Sequence, residues 1–425
     1  MGNKQTISPD QLRVGLFIEL EGWMDHPFLL NSFKIRNEQQ IRALQSLGLT
    51  QLTWVRDKSD YPPLSPPLVK AEPPAHQEPD PELSAMWREK KERRDHLARQ
   101  REAFGRCERK FTDGMSTVKS ALRNLFARPQ ESVRQAQEVV AEMVDTLLAE
   151  KDVLLHLMNA KSSDEGAYYH ALNVTMLALM LARDAGFAAE ELHILGLGCL
   201  LHDLGKERVP GSILMKRTAW TSAELHFYQQ HVVYGMEMAQ KLPALPTGAL
   251  EVIALHHELL DGSGFPGGLK GENIGKFARV AAIANTYDNL CNRINPADSM
   301  TPAEAISHLY KREVGKYEPT LMQHFIRCLG VYPPGSIVRL NNGVIGLVVS
   351  VNPGRLLHPT LLIHDPSIPR EEALQLDLGD DPDLTIVATL RPGSLDKEVF
   401  AYLSPRSRIV YYAGPVADSG PDQPA

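Results

Sequence analysis

The pair His202-Asp203 constrains the fold more than any other feature of this chain. It directly follows an apolar run of helical spacing that ends in Leu200-Leu201. An aspartate can bridge two metal ions while the neighbouring imidazole ligates one of them. Further histidines occur upstream, at His170, and downstream, at His231 and His256-His257. The pattern therefore predicts a helical domain that holds a metal site.

A second copy of the dipeptide, His364-Asp365, serves as an internal comparison. It lies in a stretch with strand character near a turn, without a similar set of histidines around it. A two-residue match is weak evidence by itself. We therefore predict no metal binding at this second copy.

Composition limits the classes of function. The 425 residues are enough for two or three domains, and the net charge of -7 disfavours DNA or an anionic membrane as partner. The four cysteines are scattered without CxxC spacing, which favours a reduced cytoplasmic compartment. No apolar signal core and no run long enough for a membrane span are found.

Residue patterns predict a multi-domain, mainly α protein. Strand character at Val14–Leu20 and Leu49–Val55 flanks a capped helix that starts at Asn37, while proline-rich and charge-rich segments follow. We expect amphipathic helix to continue over 130–160. The predicted order is a small α/β module over 1–56, a proline-rich linker over 57–82, a charged and amphipathic helical segment over 83–149, an all-helical core over 150–330, a small β domain over 331–414 and a disordered tail over 415–425.

The C-terminal β domain is predicted from a change in pattern after Pro333. Ser336–Leu340 and Val344–Val351 are rich in β-branched residues and flank Asn341-Asn342-Gly343, a strong hairpin turn. Further strands are predicted over 360–364, 384–390 and 408–412.

The run from His256 to Gly271 resembles the signature of HD-GYP proteins, with the three signature letters altered to Gly264-Phe265-Pro266. The resemblance covers about 150–330. The piece around Trp23 is similar to the N-terminal domain of unknown function often fused ahead of HD-GYP domains. HD-GYP proteins belong to the HD superfamily of metal-dependent phosphohydrolases, and characterised members hydrolyse cyclic di-GMP.

The resemblance implies two divalent metal ions, with iron or manganese favoured. A third ion is not expected, because Gly166 stands where three-metal members have a glutamate. Asn285 replaces an aspartate ligand of the family, and Asp288 one turn later is a candidate to compensate. The implied ligands are His170, His202, Asp203, His231, His256, His257 and Asn285.

The catalytic residues implied beside the metals are Asp203 and Lys206, whose ammonium is expected to stabilise charge on the phosphoryl group. Phe265 keeps a stacking face but lacks the hydroxyl of the family's tyrosine. Gly264, Pro266 and Arg293 complete the expected substrate contacts.

Three functions remain open from the sequence. The first is a cyclic di-GMP phosphodiesterase that releases pGpG or GMP. The second is a catalytically weak receptor or scaffold that signals through protein partners. The third is an HD-type hydrolase of another nucleotide or phosphoester. The helices over 83–149 are a candidate homodimerisation stalk.

Overall fold

A computed structural model describes residues 4–20, 26, 28, 31–66, 81–149, 153–158, 166–243, 245–351, 354–366, 368, 370, 373–381, 383–404 and 408–415. The chain divides into two compact units, one formed mainly by 1–99 and the other mainly by 100–363 and 375–418. Most of the predicted proline-rich linker, Trp23 with its neighbours, and the tail after Pro415 lie outside the described residues. The six segment boundaries drawn from sequence stay a prediction.

The first unit contains an antiparallel four-stranded sheet in the order β1-β4-β2-β3, packed with helix α1. The side chain of Asn37 caps α1 by accepting a hydrogen bond from Gln40 N at 2.9 Å. Leu16, Leu44 and Trp54 lie in the core of the unit. The element bounds are β1 Lys4–Ile7, β2 Phe17–Glu19, β3 Ser32–Lys34, α1 Glu38–Ser46 and β4 Leu52–Val55.

Two helices precede the predicted helical core, α2 over Pro81–Asn124 and α3 over Pro129–Ala149. The row Val139, Met143 and Leu147 on α3 is buried, as its spacing predicts. The prediction that helix continues to residue 160 is wrong. The chain leaves α3 at Ala149 and forms a strand, β5, over Val153–Leu157.

The helical core follows β5 and confirms the predicted mainly α fold. Helix α4 is buried along nearly its whole length, from Tyr169 to Ala182. Helix α5 packs closely on α9, since a Cβ at Gly198 would lie 2.8 Å from Val252 Cβ. The helices are α4 Gly166–Asp184, α5 Ala189–Leu201, α6 Gly211–Leu214, α7 Ser222–Gln229, α8 His231–Ala239, α9 Thr247–Leu255, α10 Lys276–Cys291, α11 Pro302–Arg312 and α12 Pro319–Leu329.

Among the described residues, seven strands form the second sheet, in which β10-β6-β7-β5-β11 is the main path and β8 and β9 extend from β7. The turn at Gly343, with φ of +85°, closes the predicted β6–β7 hairpin. The sheet also recruits β5, which pairs with β11 and β7. The remaining bounds are β6 Ile337–Leu340, β7 Ile345–Val351, β8 Thr360–Ile363, β9 Gln375–Asp377, β10 Ile386–Leu390, α13 Lys397–Leu403 and β11 Tyr411–Pro415.

None of the helices within the described residues has the combined length and apolar character that a membrane span requires.

Candidate metal centre

The predicted histidines reach one site from four helices. His170 lies in the first turns of α4, His202 directly follows α5, and His231 begins α8. His256-His257 follows the last residue of α9. All four elements belong to the helical core, so the distant sequence positions meet because these helices pack against one another.

A glycine contact places Asp203 and Lys206 beside α8. The short helical turn Leu204–Arg208 follows Asp203 and contains Gly205. A Cβ at Gly205 would lie 1.9 Å from the carbonyl oxygen of His231 and 2.4 Å from Gly235 N. Only glycine permits this approach, and residue-type reasoning from the sequence did not identify its role.

Backbone carbonyl groups set the tautomers of three imidazoles. The Nδ1 atoms of His202, His231 and His256 each face a carbonyl oxygen three or four residues earlier in the chain. A carbonyl oxygen only accepts, so each Nδ1 carries the proton and each neutral ring presents an unprotonated Nε2. The accepting carbonyls are those of Cys199 at 2.6 Å, Tyr228 at 2.6 Å and Val252 at 3.0 Å.

The Nε2 atoms of four histidines converge on the two oxygens of Asp203. Oδ2 lies 3.3 Å from Nε2 of His170 and 3.3 Å from Nε2 of His202. Oδ1 lies 3.6 Å from Nε2 of His231 and 3.8 Å from Nε2 of His256. The carboxylate therefore stands between two sets of nitrogen ligands, with one oxygen facing each set.

Several atoms of this cluster have no hydrogen-bond partner although they are buried. Among the described residues, Asp203 Oδ1 and His257 Nε2 are both unpartnered. Nε2 of His231 and Nε2 of His256 lie 3.4 Å apart with lone pairs facing each other. Buried acceptors converging without a donor are costly, and a divalent cation bound by imidazole and carboxylate would satisfy them. The residues therefore fit a metal centre.

Two groups of potential ligands share Asp203. The first group, called here the His170 side, consists of Asp203 with His170 and His202. The other group is called the His231 side. The second group consists of Asp203 with His231, His256 and His257. Among the described residues, His364 and Asp365 belong to neither group. That this second dipeptide binds no metal stays a prediction.

Burial keeps the imidazoles of the His231 side neutral. It lowers the pKa of His231 to about 4, and it holds the pKa values of His256 and His257 well below their usual range. Neutral imidazole is the form that ligates a metal. These three residues are therefore ready to bind an ion across the neutral pH range.

Lys206 lies against the bridging carboxylate. Its Nζ is 2.5 Å from Asp203 Oδ2 and 5.5 Å from the centre of the Tyr228 ring. Burial alone would lower the pKa of Lys206, but the charges of Asp203 and Tyr228 and the hydrogen bonds to them together outweigh it and raise the pKa. Burial alone would likewise raise the pKa of Asp203, yet His202 and Lys206 hold it well below its usual range.

Asp288 supports His170 from behind rather than facing the cluster. Its Oδ2 is 2.5 Å from Nδ1 of His170, and its Oδ1 accepts hydrogen bonds from the amides of Asn173 and Asn292. Burial alone would lower the pKa of His170, but hydrogen bonds to Asp203 and Asp288 outweigh it and raise the pKa to about 9. A carboxylate behind a ligating histidine fixes ring orientation and tautomer. The sequence suggested Asp288 as a substitute ligand, whereas its oxygens are engaged by His170 and the two amides.

Asn285 is buried on α10, one turn before Asp288. Its Oδ1 accepts a hydrogen bond from Asn289 Nδ2 at 2.8 Å. This amide oxygen retains acceptor capacity for a second partner. A metal-ligating role for Asn285 stays a prediction.

The loop with the altered signature is held by a buried carboxylate that the sequence analysis did not single out. Glu258 accepts hydrogen bonds from Gly267 N at 2.6 Å and Leu269 N at 2.9 Å. Phe265 stacks on His257, with ring centres 4.3 Å apart and 20° between planes. The Phe265 ring thus borders the His231 side of the cluster.

The other expected substrate contacts are arranged less tightly. Gly264 packs on the backbone of the preceding turn, where a Cβ would lie 2.5 Å from the carbonyl oxygen of His257. Pro266 is exposed, and Arg293 is exposed beyond the end of α10. The backbone nitrogen of Arg293 donates to Ser299 Oγ at 3.0 Å. The structure thus leaves the role of Arg293 as a prediction.

Two family models match the chain. Residues 142–321 match the HD domain, and residues 4–136 match a domain of unknown function (DUF3391). The first match contains all the histidines of the cluster together with Asp203. The second covers the four-stranded sheet, the whole of α2 and the first part of α3.

Curated relatives carry similar sequences. The chain is 28% identical to cyclic di-GMP phosphodiesterase PA4108 of Pseudomonas aeruginosa, over 83% of each chain. It is 31% identical to the cyclic di-GMP phosphodiesterase response regulator RpfG of Xanthomonas campestris, over 46% of this chain and 54% of that one. It is also 33% identical to 3'3'-cGAMP-specific phosphodiesterase 2 of Vibrio cholerae, over 43% of this chain and 35% of that one.

Proposed function

We propose that this chain, whose residues 142–321 match the HD domain and whose residues 4–136 match a domain of unknown function, is a metal-dependent cyclic di-GMP phosphodiesterase. The observation that carries the proposal is the position of Asp203, whose two oxygens each face a separate set of imidazole nitrogens. A relative with this activity in its name matches most of the chain.

Each of the two groups of residues that share Asp203 would hold one divalent ion. His170 and His202 would hold one ion, and His231, His256 and His257 would hold the other, with Asn285 as a candidate additional ligand. Imidazole and carboxylate without thiolate suit iron, manganese, zinc or nickel. Of these metals we propose iron or manganese. When bound, such a pair polarises a phosphodiester and lowers the pKa of water to supply a nucleophile.

The chain's own residues contribute position and charge. Asp203 fixes the spacing of the two ligand groups, and Asp288 orients His170. Lys206 brings a permanent positive charge to the edge of the cluster, where negative charge develops on phosphoryl oxygens during hydrolysis. Phe265, with Gly264 and Pro266 beside it, offers a flat apolar face for a base of the substrate.

A second candidate is a receptor or scaffold with weak catalysis, favoured by Asn285 and by the missing hydroxyl at Phe265. The relatives named as phosphodiesterases favour the enzyme instead. Both candidates predict binding of a cyclic dinucleotide, so only product formation separates them.

Other parts of the proposal concern the setting of the enzyme. We expect a cytoplasmic protein that binds no DNA. Homodimerisation through residues 83–149 and contacts with signalling proteins stay predictions.

Product detection tests the function. The metal-free chain is reloaded with manganese or ferrous iron, incubated with cyclic di-GMP, and its products are separated by chromatography. We expect pGpG or GMP with either metal and none with chelator. Binding of cyclic di-GMP without product would support the receptor.

Substrate choice needs a parallel assay, because one relative is named for 3'3'-cGAMP. Equal concentrations of cyclic di-GMP and 3'3'-cGAMP are supplied together. Faster consumption of 3'3'-cGAMP would contradict the proposed substrate while preserving the proposed reaction.

A further inference from the structure

We propose that the segment leading into and including β11 positions the His170 side of the metal centre through two asparagines, Asn173 and Asn292. The inference rests on the proposed two-metal function and adds a structural element to it. It assigns a role to backbone atoms of Ile409 and Tyr411, not to their side chains; both residues lie more than a hundred residues beyond the last proposed ligand in the sequence.

Asn292 joins this segment to Asp288. Its Oδ1 accepts from Ile409 N at 2.8 Å, and its Nδ2 donates to the carbonyl oxygen of Ile409 at 2.7 Å. The same Nδ2 donates to Asp288 Oδ1 at 2.8 Å. Both hydrogens of the amide are thus used, one on the backbone of Ile409 and one on the carboxylate.

Asn173 makes a parallel connection from α4. Its Oδ1 accepts from Tyr411 N at 2.8 Å, and its Nδ2 donates to Asp288 Oδ1. The Nδ2 also lies 3.3 Å from the carbonyl oxygen of Ile409. Asn173 is buried, so its amide orientation is fixed by these partners rather than by water.

The Asp288 carboxylate lies between the two asparagines and His170, and it connects their positions. Asp288 is buried and would be costly without donors, and the amides supply two donors to Oδ1. Its Oδ2 is then directed at Nδ1 of His170, 2.5 Å away. Supporting hydrogen bonds behind a ligating histidine tune metal affinity by about 10- to 100-fold.

Three of the other imidazoles are oriented by local backbone carbonyl groups instead. His202, His231 and His256 are each oriented by a carbonyl three or four residues back in the chain. His170 is oriented by a carboxylate 118 residues away, which is itself held by the backbone near β11. A change in the Asn–Ile409 contacts should therefore act on one side of the centre only.

The strand itself is anchored independently of the asparagines. β11 pairs with β5 along Tyr411–Pro415, and the hydroxyl of Tyr411 donates to the carbonyl oxygen of Pro334 at 3.1 Å. Tyr287 OH lies 2.9 Å from Tyr411 OH. Tyr411→Phe therefore weakens the anchoring of β11 while leaving the contacts of Asn173 and Asn292 in place, which makes it a matched control.

The test measures metal binding rather than catalysis. Manganese is titrated calorimetrically into the metal-free full-length chain, the variants Asn292→Ala and Asn173→Ala, and Tyr411→Phe, with thermal unfolding recorded for each. We expect one of two ions to bind at least about tenfold more weakly in both asparagine variants, with the other ion unaffected. Tyr411→Phe should lower the melting temperature and bind both ions like the parent.

Two further variants sharpen the test. Asn292→Asp preserves size but cannot donate to Asp288, so it should show the same selective loss if the alanine variant folds poorly. In a His231→Ala background the remaining ion reports the His170 side directly, and Asn292→Ala should weaken that ion.

The inference is overturned if both asparagine variants bind two ions with parental affinity. It is also overturned if Tyr411→Phe weakens one ion as strongly as they do, because the effect would then follow general loosening of the sheet. A parent chain that binds no manganese would instead refute the proposed metal centre, and the inference with it.

Discussion

The two oxygens of Asp203 face surroundings of different charge. On the His170 side, Oδ2 lies 2.5 Å from Lys206 Nζ, and a second carboxylate, Asp288, stands behind His170. On the His231 side, Oδ1 faces neutral imidazoles and has no hydrogen-bond partner among the described residues. On the His170 side, ion pairs thus neutralise the charge of Asp203. On the His231 side, buried acceptor atoms face one another without a donor.

Because of this difference, the free energy of binding a metal ion should differ between the two sides. An ion on the His231 side supplies the partner that buried acceptors lack. An ion on the His170 side must compete with the ammonium of Lys206 for the same oxygen. If both sides hold an ion, we predict that the ion on the His231 side would bind more tightly than the one on the His170 side.

The largest effect is expected from removing the Asp203 carboxylate, which both sides share. Asp203→Ala should lose most of the bound metal on both sides, because each loses its anionic ligand, while helical content is largely retained. Elemental analysis after dialysis and circular dichroism measure the two quantities.

His364→Ala is the control for that experiment, since it alters the other histidine–aspartate pair. It should leave metal content unchanged. Undiminished metal in Asp203→Ala would remove Asp203 from the site and end the comparison.

A second experiment asks what Lys206 does on its side of the carboxylate. If its charge stabilises the transition state, Lys206→Ala should retain both ions and lose rate by about a hundredfold or more. Steady-state kinetics with cyclic di-GMP, together with metal analysis, measure the effect.

Lys216→Ala provides a matched control, because Lys216 also forms a part-buried ion pair, with Glu224 at 2.6 Å. Its rate should equal that of the parent. Parental turnover in Lys206→Ala would mean that the ammonium only neutralises Asp203 in the metal-free chain.

The smallest expected effect sharpens the comparison by adding charge. Asn285→Asp should raise the metal occupancy measured at limiting metal by up to about tenfold. A carboxylate neutralises the charge of a cation better than an amide does. Activity should rise with the occupancy if the parent is an impaired enzyme. Manganese titration and product assays measure both.

The combinations of outcomes are informative for Asn285→Asp. Higher metal occupancy without higher activity would indicate that Phe265 or the contacts of Arg293, rather than metal binding, limit the rate. No change in occupancy would place Asn285 outside the metal shell.

Local sequence signals predicted much of the fold because they depend on few residues. The cap at Asn37 and the turn at Gly343 operate over a handful of positions, and both are confirmed. β5 was mistaken for helix because a short apolar run such as 153–157 fits either structure. The segment forms a strand because it pairs with β11 and β7, which lie far along the chain.

The same limit applies to the candidate site. Histidines next to apolar helices carry a recognisable pattern, and the structure brings the predicted ones together around Asp203. Supporting residues carry no such pattern, because Asn173 and Asn292 are ordinary amides until their neighbours are known. Gly205 likewise matters only through its distance to α8, which no single segment of sequence encodes.

The pairing of β5 with β11 has a consequence for how the protein is made. Residues 153–157 are synthesised before their partners at 411–415, which lie more than 250 residues later in the chain. Contacts between such distant positions form late, since a long loop must close first. The histidines can therefore assemble on a nascent chain before Asp288 receives its final support, so synthesis itself orders the completion of the two sides.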